Sequence, residues 1–454
     1  MIDIKSDSRK VQECDTFIAL PSAAGLEEEH IQDAIKNGAS KIICQNGTYP
    51  VETVIVPDTR TYFNEYLYNN YYQKISNMKF IGVTGTNGKT TTCYLIYQIL
   101  NKLGIKCAYI GTIGFYYPGT SRLLNNTTPN TELLYEMFLE AYDANCKVVV
   151  MEVSSHALDM NRIYGIEFDE VAFTNLTQDH LDYHKTLENY AKAKEILFTK
   201  TRGNKIAIIN ADDPFHDRFI KPENNNITIS NKQGDLTITN MDFSHLGTTF
   251  SFNYQNKNYK TTIPMVGRYN IYNYLTSLML VVSLGFSIDE VLKLNNELHA
   301  PSGRMELITY KNNSIFVDYA HTPDAVLNVL ESAKEYKKGK IITIVGCGGD
   351  RDRTKRPIMG KVALENSDYV IYTSDNPRTE DPKKILDDIL EGLDGDNYEV
   401  IIDRKEAILK GMSMLSNQDI LMILGKGHED YQIIGKEKIH FSDQEIVKEY
   451  IKNH

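Results

Sequence analysis

The stretch Lys79-Phe-Ile-Gly-Val-Thr-Gly-Thr-Asn-Gly-Lys-Thr-Thr-Thr92 constrains the fold more than any other, because it joins a buried-strand pattern to a glycine turn and then to a helix. Gly85 and Gly88 allow a backbone path that a side chain would obstruct, so that successive N–H groups can converge on phosphate oxygens. Lys89 adds a cation and Thr90 a hydroxyl suited to Mg²⁺. The helix that follows carries Leu95, Ile96, Ile99 and Leu100, ends near Gly104, and turns its positive end toward the anion. The run departs from the G-x-x-x-x-G-K-S/T spacing, since two residues lie between Gly85 and Gly88 and five between Gly82 and Gly88. A chance glycine turn is the bland alternative, and the strand before it and the threonines after it weigh against that reading.

At 454 residues the chain exceeds one ordinary core, and its length predicts about three domains. The longest apolar runs, Lys147–Met151, Ile341–Val345 and Ile420–Leu424, have strand length, well short of the ~20 residues a membrane span needs. Met1–Ser8 lacks the basic-then-apolar order of a signal peptide, and the six cysteines show no CxxC spacing, so a cytoplasmic protein with reduced thiols is expected. A net charge of −11 speaks against nonspecific nucleic-acid binding. An anionic ligand must then be held by local groups, and the loop at 85–91 supplies them.

Three α/β units are predicted: 1–76, 77–300 and 301–454. The first has short apolar stretches at 16–20, 41–44 and 53–56 and a helical pattern from Glu28 to Asn37. Its tyrosine-rich segment, Tyr62 to Tyr72, reads as an amphipathic packing face rather than a base-stacking surface. In the second, strands and helices alternate at 79–84, 89–103, 107–111, 131–144, 147–153, 186–200 and 205–210. That order implies a mostly parallel sheet with ligands at the carboxyl ends of its strands. The polar stretch 224–263 reads as a small antiparallel insert. Strands of the third unit are expected at 314–318, 341–346, 369–373, 399–402 and 420–424.

Polar clusters follow the strands, where such a sheet exposes its site. After Lys147–Met151 comes Glu152-Val-Ser-Ser-His156, and after Glu170–Phe173 comes Thr174-Asn-Leu-Thr-Gln-Asp-His-Leu-Asp182, then a helix bearing Tyr190-Ala-Lys-Ala-Lys194. Glu152 suits Mg²⁺ coordination beside Thr90, with a surface ion pair as the alternative. Taken alone, His180 is an ordinary structural or exposed histidine, and Lys192 and Lys194 are a solvated helix face.

The set Gly85–Thr92, Glu152–His156, Asp179-His180, Tyr190–Lys194, Asn270–Asn273, Pro301–Arg304, Asp318-Tyr-Ala-His-Thr-Pro-Asp324 and Gly425-Lys-Gly-His-Glu429 resembles the Mur ligase family, and within it the MurE branch. The loop itself is also similar to that of folylpolyglutamate synthases. The match runs from residue 8 to residue 429. The resemblance implies three domains: a central P-loop ATPase-like parallel sheet, a small N-terminal α/β domain for UDP, and a C-terminal Rossmann-like domain for an amino acid. It implies ATP-dependent addition of the third stem-peptide residue to UDP-N-acetylmuramoyl-L-alanyl-D-glutamate (UDP-MurNAc-L-Ala-D-Glu) in peptidoglycan precursor synthesis, by a cytoplasmic monomer.

Carried over by that resemblance, Gly85, Thr86, Asn87, Gly88, Lys89, Thr90, Thr91, Asn273, Arg304 and Asp318 bind ATP, and Lys89, Glu152, His180 and Lys194 are catalytic. Thr90 and Glu152 hold one Mg²⁺, and His180 and a carbamylated Lys194 hold a second. Ser8 contacts the uridine end, and Asn126, Thr127, Thr128, Ser154 and Arg162 the sugar and peptide end. Two departures stand out. Met160 replaces a glutamine found in many members, and Pro21-Ser-Ala-Ala-Gly-Leu-Glu-Glu-Glu29 replaces the usual pattern after the first-domain strand.

Read blandly, Asp375-Asn376-Pro377-Arg378 is a turn. In the family it marks members that use meso-diaminopimelate, and the chemistry agrees, because Arg378 can grip a second carboxylate with a two-pronged fork that lysine would leave empty. Glu429 is expected at the distal ammonium, Arg351 at the carboxylate beside the attacking amine, and Gly425 in the same pocket. The rivals are a lysine-adding member of the branch, another Mur-like ligase or folylpolyglutamate synthase, and a nucleotide-binding regulator that has lost the chemistry. Asp375–Arg378 and Gly425–Glu429 speak against the other ligases, and the joint presence of Lys89, Glu152, His180 and Lys194 against the regulator.

Overall fold

Strand and helix patterns sort into three sheets and a hairpin in the computed structural model, which describes residues 2–21, 25, 27–244 and 247–454. The first sheet is parallel throughout, in the order β1 (Ile4–Lys5), β2 (Thr16–Ile18), β3 (Lys41–Cys44), β4 (Glu52–Ile55). The helix Glu27–Lys36 packs on it, with three glutamates in its first turn that complement the positive end of the helix dipole. Much of the departure expected at 21–29 lies outside the described residues. The tyrosine-rich segment is helical, Thr59–Leu67 continuing into a π-helical turn, Tyr68–Tyr72. Tyr62, Tyr66, Tyr71 and Tyr72 pack against the core, and Tyr66 and Tyr71 donate to Asp3, so this is a packing face.

The central sheet has eleven strands in the order β15-β14-β13-β12-β11-β10-β5-β9-β6-β7-β8. In chain order these are β5 (Lys79–Thr84), β6 (Cys107–Gly111), β7 (Gly114–Tyr117), β8 (Thr120–Arg122), β9 (Val148–Glu152), β10 (Phe168–Phe173), β11 (Thr201–Asn210), β12 (Asn225–Ser230), β13 (Leu236–Ser244), β14 (Gly247–Tyr254) and β15 (Lys257–Ile263). Parallel pairing of β5 with both β9 and β10 sets Val83 opposite Glu152 and Thr84 opposite Phe173. The loops after these three strands therefore open side by side, and this adjacency creates the site.

The stretch expected as a small antiparallel insert is an extension of this sheet, antiparallel only in part. β12 pairs in parallel with β11, and only β13, β14 and β15 run antiparallel to one another. Their inward residues Ile238, Phe250, Phe252 and Ile263 share a core with Leu275, Leu278 and Met279 of the helix Arg268–Ser283, which holds the extension in place.

The third sheet has the order β16-β17-β21-β18-β19-β20, with β16 (Glu306–Tyr310), β17 (Asn313–Asp318), β18 (Ile341–Val345), β19 (Tyr369–Tyr372), β20 (Tyr398–Val400) and β21 (Ile420–Leu424). Only β16 is antiparallel, so the carboxyl ends of β17, β21, β18 and β19 lie on one edge. A hairpin of β22 (Tyr431–Ile434) and β23 (Glu437–His440) closes over that edge, where Arg378 bridges to Ile434. The six cysteines are all free thiols. Among the described residues no helix is long and apolar enough to cross a membrane.

Candidate active site

Gly85, with φ of +150°, begins the turn after β5, and a Cβ there would collide with Thr174 Oγ1 of the neighbouring loop, so only glycine fits. The loop is stitched to the segment after β10: Thr86 N donates to Asn175 O at 2.8 Å, Asn87 N to Asn175 Oδ1 at 2.9 Å, and Thr177 N to Thr86 Oγ1 at 3.0 Å. The helix Lys89–Lys102 starts at Gly88, and its first turn contains the buried Thr90 and Thr91. Asn273 lies against this turn, since a Cβ on Gly88 would strike its Oδ1.

Lys89 folds back over its own loop, donating to Gly85 O and Thr86 O at 2.8 Å each. Burial lowers its pKa below the ordinary lysine value, with Arg304 pushing the same way and Glu152 and Asp179 opposing. Glu152 has no exposed surface. Thr90 Oγ1 donates to its Oε2 at 2.9 Å, Tyr109 OH and Thr112 N to its Oε1 at 2.5 and 2.9 Å, and Thr112 Oγ1 to Oε2 at 3.2 Å. That burial excludes the surface ion pair left open by the sequence.

Lys194 corrects a second bland expectation. It is 1% exposed, while Lys192 of the same helix is exposed. Its Nζ donates to Gly85 O at 2.7 Å and sits 4.3 Å from the centroid of the Tyr190 ring. Burial first, and then the nearby Lys89 ammonium, hold its pKa well below the lysine range. His180 also borders the Tyr190 ring, at 6.1 Å, and pairs with Asp179 at 3.4 Å, in a left-handed backbone conformation at φ of 53°.

The predicted sugar and peptide contacts fall into a second group. Thr128 Oγ1 donates to Glu152 O at 2.8 Å and accepts from Ser154 N at 3.0 Å, while Arg162 Nη1 reaches Thr128 O at 3.0 Å. Thr127 Oγ1 is 3.0 Å from Thr112 Oγ1, which links this group to Glu152. Met160 Sδ accepts from Arg162 Nη2 at 3.2 Å, so the thioether substitutes weakly for an amide acceptor. Asn126 is exposed, and Ser8 sits in the first unit, its carbonyl accepting from Asn37 Nδ2 at 3.0 Å.

From the third sheet, Asp318 ends β17 and accepts from Met305 N and Ala320 N at 2.7 and 2.8 Å. Arg304 stacks over Tyr319 at 4.9 Å, and its charge acts to lower the pKa of both Lys89 and Asp318. After β19, Asp375, Asn376 and Pro377 are buried and Arg378 is half-buried, its Nη1 donating to Gly349 O at 2.7 Å. Asn376 Nδ2 donates to Glu429 Oε2 at 2.8 Å. Gly425 has φ of +114°, and a Cβ on it would lie 2.5 Å from Asp375 Oδ2. Arg351 is exposed and bonded to its own neighbour, Asp350 O, at 3.0 Å, and like Arg378 it borders Gly348, where a Cβ would lie 3.9 Å from Arg351 Cγ and 2.9 Å from Arg378 Nη1.

Two supporting residues escaped the sequence reading. Arg404, fully buried with Asp443, donates to Leu424 O at 3.0 Å and Ser374 O at 3.5 Å, so it grips the strand ends just before Gly425 and Asp375. No local pattern marks it. Lys426, within the Gly425–Glu429 motif, is also fully buried. Among the described residues no three His, Cys, Asp or Glu side chains cluster as a metal site.

The glycine loop after β5 and the polar edge of the third sheet are the two parts of the candidate site. Residues 83–281 match the family model of the Mur ligase middle domain, and residues 303–427 that of the Mur ligase, glutamate ligase domain. The chain is 41% identical to the UDP-N-acetylmuramoyl-L-alanyl-D-glutamate--2,6-diaminopimelate ligase of Clostridium botulinum, over 99% of this chain and 95% of that one. A solved structure described by the same enzyme name superposes with a TM-score of 0.73 at 34% identity, covering 99% of this chain and 94% of the other. The MurF ligase of Thermotoga maritima, solved in complex with ADP, shares the fold at a TM-score of 0.67 and 18% identity, over 99% and 97% of the two chains. The chain belongs to the Mur ligase family.

Proposed function

We propose that this chain joins meso-diaminopimelate to the D-Glu γ-carboxylate of UDP-MurNAc-L-Ala-D-Glu, with ATP cleaved to ADP and phosphate, as a cytoplasmic monomer in peptidoglycan precursor synthesis. Residues 1–76 would hold the UDP end, 77–300 ATP, and 301–454 the amino acid. The observation that carries this reading is the convergence on Gly85–Thr90 of Glu152, Lys194 and Arg304 from three separate segments, with the Asp375–Arg378 and Glu429 pocket on the third sheet beside Arg304 and Tyr319. The diaminopimelate part is supported further by the names of the full-length relatives.

The donors suit Mg²⁺. A threonine hydroxyl and a carboxylate held 2.9 Å apart are hard oxygen ligands, to which phosphate oxygens and water would add. As an ammonium, Lys194 cannot ligate. Its depressed pKa and burial favour the neutral amine, which is the form that adds CO₂ with loss of a proton, and the resulting carbamate would join His180 as an oxygen ligand. Bound Mg²⁺ would offset phosphate charge and polarise the acyl oxygen.

The chain's own groups account for positioning. Backbone N–H groups of the loop and Lys89 hold the β and γ phosphates, so a γ-carboxylate oxygen of the substrate meets the γ phosphorus in line. An O–P bond forms as the bond to ADP breaks, giving an acyl phosphate. The amine of the amino acid, oriented by the third sheet, then attacks the carbonyl carbon; the C–N bond forms, phosphate leaves and the nitrogen loses a proton. Arg304 would approach the phosphates from the opposite wall and help exclude water. The test is to supply purified protein with ATP, Mg²⁺, UDP-MurNAc-L-Ala-D-Glu and single amino acids, and identify products by mass. ADP, phosphate and the diaminopimelate tripeptide are expected. AMP and pyrophosphate, or equal turnover of lysine, would contradict the proposal.

A further inference from the structure

Glu429, expected from the sequence at the distal ammonium of the substrate, already has a cation. Lys426 has no exposed side-chain surface, and its Nζ lies 3.2 Å from Glu429 Oε2 and 3.1 Å from Asn376 Oδ1. Burying an ammonium is unfavourable unless its partners are well placed, and an apolar side chain would fill the same volume without that penalty. What the lysine achieves is visible in the bonds around it.

Asn376 Oδ1 also accepts from Ile433 N at 2.9 Å, which fixes the amide so that Nδ2 faces Glu429. Glu429 Oε2 therefore receives both Lys426 and Asn376, while among the described residues Oε1 has only Tyr431 OH at 3.4 Å. A carboxylate oxygen can accept two bonds, so Oε1 retains capacity for an ammonium and Oε2 does not. Charge is balanced in the same space. Lys426 pairs with Glu429 and the buried Arg404 with Asp443, while Asp375 and Arg378 both act on the Tyr319 hydroxyl, as does Arg304, whose charge also acts on Asp318. A ligand end carrying both a carboxylate and an ammonium enters without disturbing that balance; a bare ammonium leaves a net positive charge.

We infer that Lys426 is a positioning residue that assigns Oε1 of Glu429 to the incoming ammonium and sets a neutral pocket, thereby selecting an amino acid whose far end is zwitterionic. The inference rests on the proposed function. Without the Lys426 charge, a lysine substrate would be the balanced ligand and diaminopimelate the unbalanced one.

The experiment measures kcat and KM for diaminopimelate and lysine, and KM for ATP and UDP-MurNAc-L-Ala-D-Glu, in wild type, K426M, K426Q and K426R, with thermal midpoints for each. K426M is expected to raise KM for diaminopimelate at least ~10-fold and to lower the diaminopimelate-to-lysine preference in kcat/KM at least ~10-fold, with the other two KM values within about twofold. K426R should keep most of the preference. If K426M does not fold, K426Q must show the same loss of preference. An unchanged preference in the neutral variants, or an equal loss in K426R, overturns the role of Lys426. Wild-type turnover of diaminopimelate separates the two ideas: its absence sinks the proposed function, whereas its presence with an unchanged K426M preference sinks only this inference.

Discussion

Lys194 has lost its water and faces Lys89, and both effects favour the neutral amine over the ammonium. Lys194→Ala is accordingly expected to cut turnover by at least ~100-fold, with partial recovery in added acetate or formate, whose carboxylate can occupy the vacated space. Full activity in the variant would remove Lys194 from the site. A different buried group acts on stability. Glu170 in β10 is 3% exposed, accepts from Ser283 Oγ at 2.6 Å through Oε1, and has no hydrogen-bond partner at Oε2 among the described residues. Burial raises its pKa to about 8. The folded chain thus binds this proton between the ordinary carboxyl range and about pH 8 while the unfolded chain releases it, so stability falls as pH rises through that window. Glu170→Gln should be close to wild type at pH 4.5–5 and more stable by on the order of 3 kcal/mol at pH 7–8, as read from denaturant midpoints. A wild-type-like pH profile in the variant would show that Glu170 is ionised in the fold.

Among the elements, the loop after β19 carries most of the proposed selectivity. Its Arg378 sits at φ of +51°, with its N–H bonded to Ile433 O at 3.0 Å and its carbonyl accepting from Gly435 N at 2.7 Å. Backbone pairing to the hairpin therefore fixes where the guanidinium emerges. The facing loop is anchored independently: Glu380 takes Asp350 N, Arg353 and the buried Arg356, and these contacts, Arg356 foremost, hold its carboxyl down at about 2. Arg378→Ala leaves these anchors intact. It should lower kcat/KM for diaminopimelate by about 30-fold to several thousand-fold without lowering that for lysine, and Arg378→Lys should restore only part because the fork is lost. Equal losses for both amino acids would argue against a carboxylate-reading role. The insert 224–263 carries a lesson about elements: its alternating pattern gave the strands, but β12 chose a parallel partner in β11, and pairing partners are not encoded within a strand.

At the scale of the molecule, cores run across the unit boundaries. Ile4, Ile18 and Ile43 of the first sheet share a core with Tyr135 and Phe138, and Val266 packs with Val326 and Phe316 of the third. These shared cores hold Arg304 where Lys89 feels its charge. Arg304→Ala should reduce kcat by about 100-fold while leaving the melting temperature nearly unchanged. A large drop in melting temperature with normal turnover would make Arg304 structural. The alternating strand and helix pattern and the glycine loop were legible in the sequence because they depend on neighbouring residues, and so was the grouping of Thr90, Glu152 and Lys194 once the family resemblance was seen. The strands β7, β8, β16, β22 and β23 left little trace, being short, antiparallel and mostly half exposed or exposed. Lys194 and Lys192 are alike in sequence, and only the approach of Gly85 to one face of their helix buries the first and leaves the second in water. Arg404 and Lys426 gained their partners the same way. Local sequence fixes which bonds the backbone favours, but burial and charge pairing arise between residues tens to hundreds of positions apart, so the tertiary structure alone decided which charges are buried and which partners they meet.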